Sequence, residues 1–140
     1  MPSNRADLSA AIVTTLKTVT GLHNEVYDYH PAEFTRFPTA VVVGAGHDEE
    51  IADNARDLRL YHYDIIVYHS RSKDGFGTSA AETARRTLED SILTALDANQ
   101  TLTGTCLWSR VRTGGWNYSS DLSLLYFILN LTAYQHVTIT

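Results

Sequence analysis

Residues 122–140 form a long segment in which apolar side chains recur at every second position of this 140-residue chain. A period of two is that of a β-strand, whose successive side chains point to opposite faces of a sheet. One face is apolar along its length, comprising Leu125, Phe127, Leu129, Leu131, Ala133, Val137 and Ile139. The opposite face is apolar in its first half, comprising Leu122, Leu124, Tyr126 and Ile128, and polar from Asn130 onward. A strand with apolar residues on both faces has to be covered on both sides.

A second alternating segment, 57–70, also has apolar residues on both faces. One face comprises Tyr61, Tyr63, Ile65 and Val67, and the other begins with Leu58 and Leu60 and continues through His62, Asp64, Ile66 and Tyr68. Because exposed apolar patches commonly mark protein–protein surfaces, we predict self-association through Leu122, Leu124, Tyr126, Ile128, Leu58 and Leu60. The alternative is that an internal loop, 113–121, folds over this face with Trp116 and Tyr118.

Two helices are predicted from apolar residues at helical spacing. Leu8, Ile12, Leu16 and Val19 form one stripe, which Gly21 ends. The second stripe comprises Ala81, Ala84, Leu88, Ile92, Ala95 and Leu96, and begins at a capping box of Ser79 and Glu82. Glu82 and Arg86 are also spaced for an ion pair on the solvated side of this helix.

Shorter strands are predicted around 25–29, 39–44 and 106–113. The order is then one helix, three strands, one helix and two strands. This order predicts an α+β fold, with a mostly antiparallel sheet of about five strands and two helices packed on one face. The length predicts a single domain, 1–140.

The triplet Gly44-Ala45-Gly46 follows three valines and resembles the beginning of a nucleotide site. A dinucleotide fingerprint requires a third glycine and a helix whose N-terminus meets the phosphates. Here Glu49 occupies the third glycine position, next to Asp48 and Glu50. Adjacent carboxylates repel a phosphate, so we interpret the triplet as the end of a strand before an acidic, solvated loop.

Composition excludes several classes of function. The net charge is −5 and there are only two lysines, which argues against a protein that coats nucleic acid. The single cysteine, Cys106, cannot form an internal disulfide and fits folding in a reducing compartment. Residues 1–17 lack the apolar core of a signal peptide, and the longest apolar run, 124–129, is too short to span a membrane. We therefore expect a soluble protein.

No pattern typical of catalysis is present. The six histidines occupy six different contexts, without the spacing of a zinc site. Cys106 lacks a preceding helix N-terminus or nucleophile elbow that would activate its thiol. We therefore expect no catalytic residue, no metal and no cofactor. The alternative is a small cytosolic enzyme that uses His62 and Asp64, which share a strand face.

Four stretches resemble the tail terminator (tail completion) proteins of long-tailed bacteriophages. They are VYDYHPAEFTRFPTAVVVGAG (26–46), RDLRLYHYDIIVYHSR (56–71), AAETARRTLEDSILTALDANQTLTG (80–104) and FILNLTAYQHVTI (127–139). The resemblance covers about two-thirds of the chain and consists of an order of elements. These are a short tyrosine strand, a proline-bounded crossing, a strand, a long tyrosine-bearing strand, a helix and the step TLTG (101–104).

The resemblance implies a structural virion protein rather than an enzyme. Such subunits close into a six-fold ring on the last disc of the tail tube, end its polymerisation and join the tail to the neck below the head. The implied partners are other copies of the chain, the tail tube protein and a neck or head-completion protein, while DNA passes the channel without specific binding. The implied location is the tail–neck junction of a virion assembled in the bacterial cytoplasm. A neck or head-completion protein is the alternative within the same class.

Two polar segments are predicted to contact these partners, because polar loops on a rigid scaffold commonly carry function. The first, 70–79, presents Phe76 between two glycines, with Asp74 beside it. The second, 46–55, carries Asp48, Glu49 and Glu50. Phe76 has an alternative role as a lid on the core of its own domain.

Overall fold

The computed structural model describes residues 5–22, 25–29, 38–51, 56–71, 79–102, 106, 108–118 and 124–138. The elements in chain order are helix α1 (Arg5–Lys17), a 3-10 turn (Thr20–Leu22), β1 (Val26–Tyr27), β2 (Thr39–Ile51), β3 (Arg56–Arg71), α2 (Ser79–Asp97), β4 (Trp108–Tyr118) and β5 (Leu124–Thr138). The five strands form one sheet in the order β1-β2-β3-β5-β4. Only the pair of β1 and β2 is parallel among these described strands, so the predicted α+β fold with a mostly antiparallel sheet is confirmed.

One core contains the apolar stripes of both helices and one face of the sheet, here called the core face. The buried helix residues are Leu8, Ile12, Leu16, Val19, Leu88, Ile92 and Leu96, and the central strands contribute Tyr61, Tyr63, Ile65, Val67, Phe127, Leu129, Leu131 and Ala133. The described members of the predicted helix stripes and of the predicted buried faces of β3 and β5 are therefore confirmed as core residues, with Ala95 only partly buried. The side chains of Ala81, Ala84, Leu125 and Val137, and all of Ile139, lie outside the described part. Helical periodicity of 3.6 and strand periodicity of 2 identify these residues because burial follows the face on which a residue lies.

An ion pair on α2 joins Arg85 to Glu89, with 3.2 Å between Nη1 and Oε2. Arg85 is mostly buried, so the pair stabilises a charged group at the edge of the core. The side chain of Glu82, the predicted partner of Arg86, lies outside the described residues.

Strand β2 is longer than predicted. The predicted end at Gly44 and the predicted acidic loop after it are wrong, because β2 continues to Ile51 and pairs with β3 as far as Asp57. A β-bulge between Gly44 and Gly46 bends the strand without ending it, and Gly46 has a φ of 106°. Asp and Glu are disfavoured in strands, but pairing along the longer β3 overrides this local preference. No helix follows the glycine pair, so the arrangement needed to bind a dinucleotide is absent from this described strand.

Strand β4 is also longer than predicted. The predicted turn that begins at Thr113 is wrong as far as Tyr118, because the strand continues across a bulge between Thr113 and Trp116. The two glycines that suggested a turn lie within this bulge. Trp116 pairs with Phe127 and Tyr118 with Leu125. The side chains of these two residues lie outside the described part, as do residues 119–121, so the predicted cover of the opposite face by this segment stays a prediction.

The positive φ of Gly46 leads to a prediction. We expect Gly46→Ala to lower the free energy of unfolding by about 1–2 kcal/mol, because a side chain is strained in this backbone conformation even though its Cβ meets nothing within 4 Å. Gly44→Ala is the matched control, since its Cβ would make only an ordinary contact with Tyr63 at 4.0 Å. Urea unfolding of both variants measures the difference, and equal stability of the two would contradict the role of Gly46.

Candidate functional site: the open face of the sheet

The face of β3, β5 and β4 opposite the core is accessible, and we call it the open face. It comprises Leu60, His62, Asp64, Ile66 and Tyr68 on β3; Tyr126, Ile128, Asn130, Thr132 and Tyr134 on β5; and Trp108, Arg110 and Arg112 on β4. Each of these side chains is half-buried or exposed, whereas their neighbours on the core face are mostly buried. The open face does not extend over the part of β2 that pairs with β1. Val41 lies there opposite Ile66, and it is fully buried.

One end of the open face forms an apolar zone made of Ile66, Tyr68, Tyr126 and Ile128. Tyr68 and Tyr126 lie opposite each other, with ring centroids 5.8 Å apart. Partial burial raises the pKa of Tyr68 above its ordinary value, and the neighbouring Tyr126 raises it further. The zone is therefore a patch of aromatic and aliphatic side chains that remains partly exposed in the single chain.

A separate aromatic zone lies at the other end of the open face. The indole of Trp108 stacks on the ring of Tyr134 with centroids 4.1 Å apart and planes at 7°. Leu60 lies opposite Tyr134, and Trp108 is 40% exposed. Trp108 was missed in the sequence, although its alternation with Arg110 and Arg112 was a usable signal. Tryptophan, tyrosine and arginine are the residue types enriched at interface hot spots.

The structure divides the predicted self-association surface between these two zones. Tyr126 and Ile128 belong to the apolar zone, and Leu60 belongs to the aromatic zone. Leu58 pairs with His136 one row beyond Leu60, and Leu124 pairs with Arg71 at the far end of β5; their side chains lie outside the described part. Leu122 also lies outside the described residues. Antiparallel pairing separates the residues of this predicted surface. Leu124 and Tyr126 pair with the C-terminal end of β3, whereas Leu58 and Leu60 lie near its N-terminal end.

Polar residues occupy the rows between the two zones. His62 Nδ1 lies 3.2 Å from Thr132 Oγ1 on the neighbouring strand. Asp64, Asn130 and Arg112 form the next row, and Arg110 lies beside Thr132. Together with Leu60 and Tyr134, these side chains except Asp64 line a shallow depression of 330 Å³. The depression offers hydrogen bonds, stacking and positive charge.

The residues of the enzyme alternative, His62 and Asp64, do share the open face. His62 Nδ1 lies within hydrogen-bond distance of the Thr132 hydroxyl on the neighbouring strand. Within the described residues, no group of three His, Cys, Asp or Glu side chains is placed to hold a metal ion. Apart from His62 and Thr132, the described side chains that line the depression offer hydrogen bonds, aromatic surface and positive charge, which suit binding of a partner.

Cys106 is buried and its environment suppresses thiol reactivity. Burial raises the pKa of its thiol to about 11, from an ordinary value of 9.0. A catalytic thiol needs a shift in the opposite direction, since the thiolate is the nucleophile. The Sγ atom lies 3.6 Å from the carbonyl oxygen of Gln100, to which it can donate a weak hydrogen bond.

We expect Cys106 to react slowly with a thiol reagent in the native protein. At pH 8 the raised pKa lowers the thiolate fraction about a hundredfold relative to an exposed cysteine, and burial lowers access further. The native rate should rise with pH until about 11, whereas the rate in denaturant should level off near 9. Reaction with a chromogenic disulfide at several pH values measures both rates. A native rate equal to the denatured rate at pH 8 would contradict the assigned environment.

The structure gives the two predicted contact segments different outcomes. The predicted acidic loop is part of strand β2. Its residues Asp48, Glu49 and Glu50 pair with Leu60, Arg59 and Leu58 of β3. Asp74 and Phe76 lie outside the described residues. No described helix is long and apolar enough to cross a membrane.

No protein-family model matches the chain, and no curated protein matches its sequence. Among solved structures, a chain in the virion of a native gene transfer agent (GTA) particle is similar in fold. The two chains superpose with a TM-score of 0.50 at 17% sequence identity, and the match covers 92% of this chain and 94% of the other. At this level of identity the similarity shows a shared fold over nearly the whole of both chains.

Proposed function

We propose that the chain is a structural virion protein, the subunit of a ring that caps the tail tube. In this role it ends tube polymerisation and joins the tail to the neck or head. The observation that supports the proposal most strongly is the shared fold with a virion chain, which extends over nearly the full length of both proteins. The order of elements that resembles tail terminators supports the finer assignment.

The open face fits this role. An assembly subunit needs a rigid surface that other subunits cover, and an antiparallel sheet with a buried core face supplies one. Tyr126, Ile128, Tyr134 and Trp108 are the residue types that bury well against a partner, and Arg110 adds charge and stacking capacity. We propose that other copies of the chain, the tail tube protein and a neck protein are the partners that cover this surface.

The charge of the chain also fits a channel that DNA crosses. The net charge of −5 per subunit, multiplied around a ring, keeps phosphate from binding to the assembly as a whole. We propose that DNA passes the channel without specific binding. The proposed location is the tail–neck junction of a virion assembled in the bacterial cytoplasm, with no membrane contact, no catalysis and no cofactor.

Disruption of the gene in a producing host tests this function, with particles examined by electron microscopy. The proposal expects tails of abnormal length and heads without joined tails, and a plasmid copy of the gene should restore both. Tails of normal length that fail to join heads would instead assign the chain to the neck or head-completion class. Normal particles from the disrupted gene would overturn the proposal.

A further inference from the structure

Two strand edges of the sheet lack a neighbouring strand among the described residues. The outer edge of β4 (Trp108–Tyr118) pairs with nothing described, since β4 is the last strand of the sheet. The outer edge of β2 is paired with β1 only at Ala40 and Val41, which leaves the edge from Val43 to Ile51. An unpaired edge presents backbone N–H and C=O groups that can pair with another strand.

The two edges carry opposite charges at the same spacing. On β4, Arg110 and Arg112 lie two residues apart and are exposed on the open face. On β2, Asp48 and Glu50 also lie two residues apart, in the rows of Leu60 and Leu58. Because directly paired residues share a face of the sheet, the register places Asp48 and Glu50 at open-face positions, as it does Arg110 and Arg112. The side chains of Asp48 and Glu50 lie outside the described part.

The strand directions permit the two edges to pair antiparallel. Each step from β2 to β3, β5 and β4 is antiparallel, so β4 runs opposite to β2. A second copy placed beside the first in the same orientation therefore brings its β2 antiparallel to β4 of the first. The open faces of the two copies then lie on the same side of one continuous sheet.

The rows of the sheet show how the charges would meet. Within one chain Arg110 lies in the row of Gly46, and Trp108 lies in the row of Asp48. A shift between copies of two residues, roughly 7 Å along the strand, sets Arg110 opposite Asp48. Arg112 and Glu50 are then diagonal neighbours of this pair, within reach of long side chains.

We propose that the chain associates with itself head to tail, with the first part of the β4 edge of one copy, from Trp108 to Thr113, paired to the 43–51 edge of the next. In this register Arg110 of one copy lies opposite Asp48 of its neighbour, Arg112 is diagonal to Asp48, and Glu50 is diagonal to Arg110. Pairing of two β4 edges would bring arginines together, and pairing of two β2 edges would bring carboxylates together, so the charges favour unlike edges. A contact between unlike surfaces builds a closed ring when its rotation closes. The contact between strand edges identifies the partner in the proposed function as a second copy of the chain. Only the closure of these contacts into a ring rests on the proposed function.

Charge reversal with rescue tests the pairing. Arg110→Glu with Arg112→Glu should give a chain with two acidic edges, and Asp48→Lys with Glu50→Lys a chain with two basic edges. Each variant should remain folded by circular dichroism but raise the dissociation constant of self-association at least about tenfold. Lys17→Glu with Arg86→Glu is the control, because it makes the charge change of the first variant away from both edges.

Two rescues separate this contact from a general effect of charge. All four substitutions in one chain should restore assembly, and an equimolar mixture of the acidic-edge and basic-edge chains should assemble with the two alternating. Sedimentation velocity at low salt measures both. The proposal is overturned if the reversed chains assemble like the wild type, if neither rescue restores assembly, or if the wild type remains a monomer at the highest attainable concentration.

A disulfide test covers the case in which a reversed chain does not fold. Arg110→Cys with Asp48→Cys should form a ladder of covalent oligomers on oxidation, since directly opposite residues lie at a separation that a disulfide spans. Arg86→Cys with Asp48→Cys should form no such ladder. Absence of the ladder from the first pair overturns the edge pairing. A different result would overturn the proposed function and leave the edge pairing intact. This result is normal particles from a host in which the charge-reversed protein no longer assembles.

Discussion

Replacing Phe127 by alanine should lower the free energy of unfolding by about 3–5 kcal/mol. The side chain is fully buried in the core of β5, where its removal leaves a cavity as well as losing apolar contact. Such a loss is a large part of the total stability of an ordinary domain, about 5–15 kcal/mol. We expect the variant to be partly unfolded at 37 °C, as urea or thermal unfolding would show.

The adjacent Tyr126 is the matched control for this prediction. It lies on the open face of the same strand and is only half-buried. We therefore expect Tyr126→Ala to cost about 1 kcal/mol in a single chain, a typical value for a point substitution. Equal losses in the free energy of unfolding of the two variants would contradict the difference in burial between the two faces of β5.

The second large effect concerns assembly. Tyr126→Glu combined with Ile128→Glu should leave the chain folded but weaken its self-association about thirtyfold or more, the effect of losing about 2 kcal/mol at an interface. The reason is that the apolar zone, half-exposed in one chain, would have to bury two carboxylates on association. Light scattering and sedimentation measure the assembly.

Thr14→Glu with Thr83→Glu is the control, since both residues are exposed on the helices and the change in charge is the same. Assembly that persists in the Tyr126 and Ile128 variant would contradict the self-association surface predicted from the sequence. If charge reversal at the strand edges abolished assembly in the same series, the edges alone would carry the contact between copies. The two interfaces are therefore distinguished by separate substitutions.

Periodicity determined the core. The buried side of each element is indicated directly by the local pattern. Examples are the helical stripe of Leu8, Ile12 and Leu16 and the alternation around Ile65 and Leu129. These patterns are local, because the face on which a residue lies depends only on its spacing along a regular backbone. The element order and the α+β class followed from the same patterns.

Tertiary pairing decided the lengths of β2 and β4. Asp48, Glu49 and Glu50, and likewise the glycines after Thr113, are typical of loops when their neighbours along the chain are the only information. In the fold they lie beside β3 and β5, whose backbone groups require partners along their whole length. A bulge at each glycine site accommodates the mismatch, so a residue pattern that predicts a loop becomes part of a strand.

Tertiary structure also decided which open-face residues meet. The sequence by itself indicated that Tyr126, Ile128 and Leu60 lack a partner on the helices, but not that Leu60 lies in another zone. Trp108 meets Tyr134, twenty-six residues away along the chain, because β4 and β5 pair in one antiparallel register. The register between strands depends on the packing of the whole core face, since a slip of one residue would expose that face. Local spacing therefore determined the faces, whereas the register determined the surface that a partner meets.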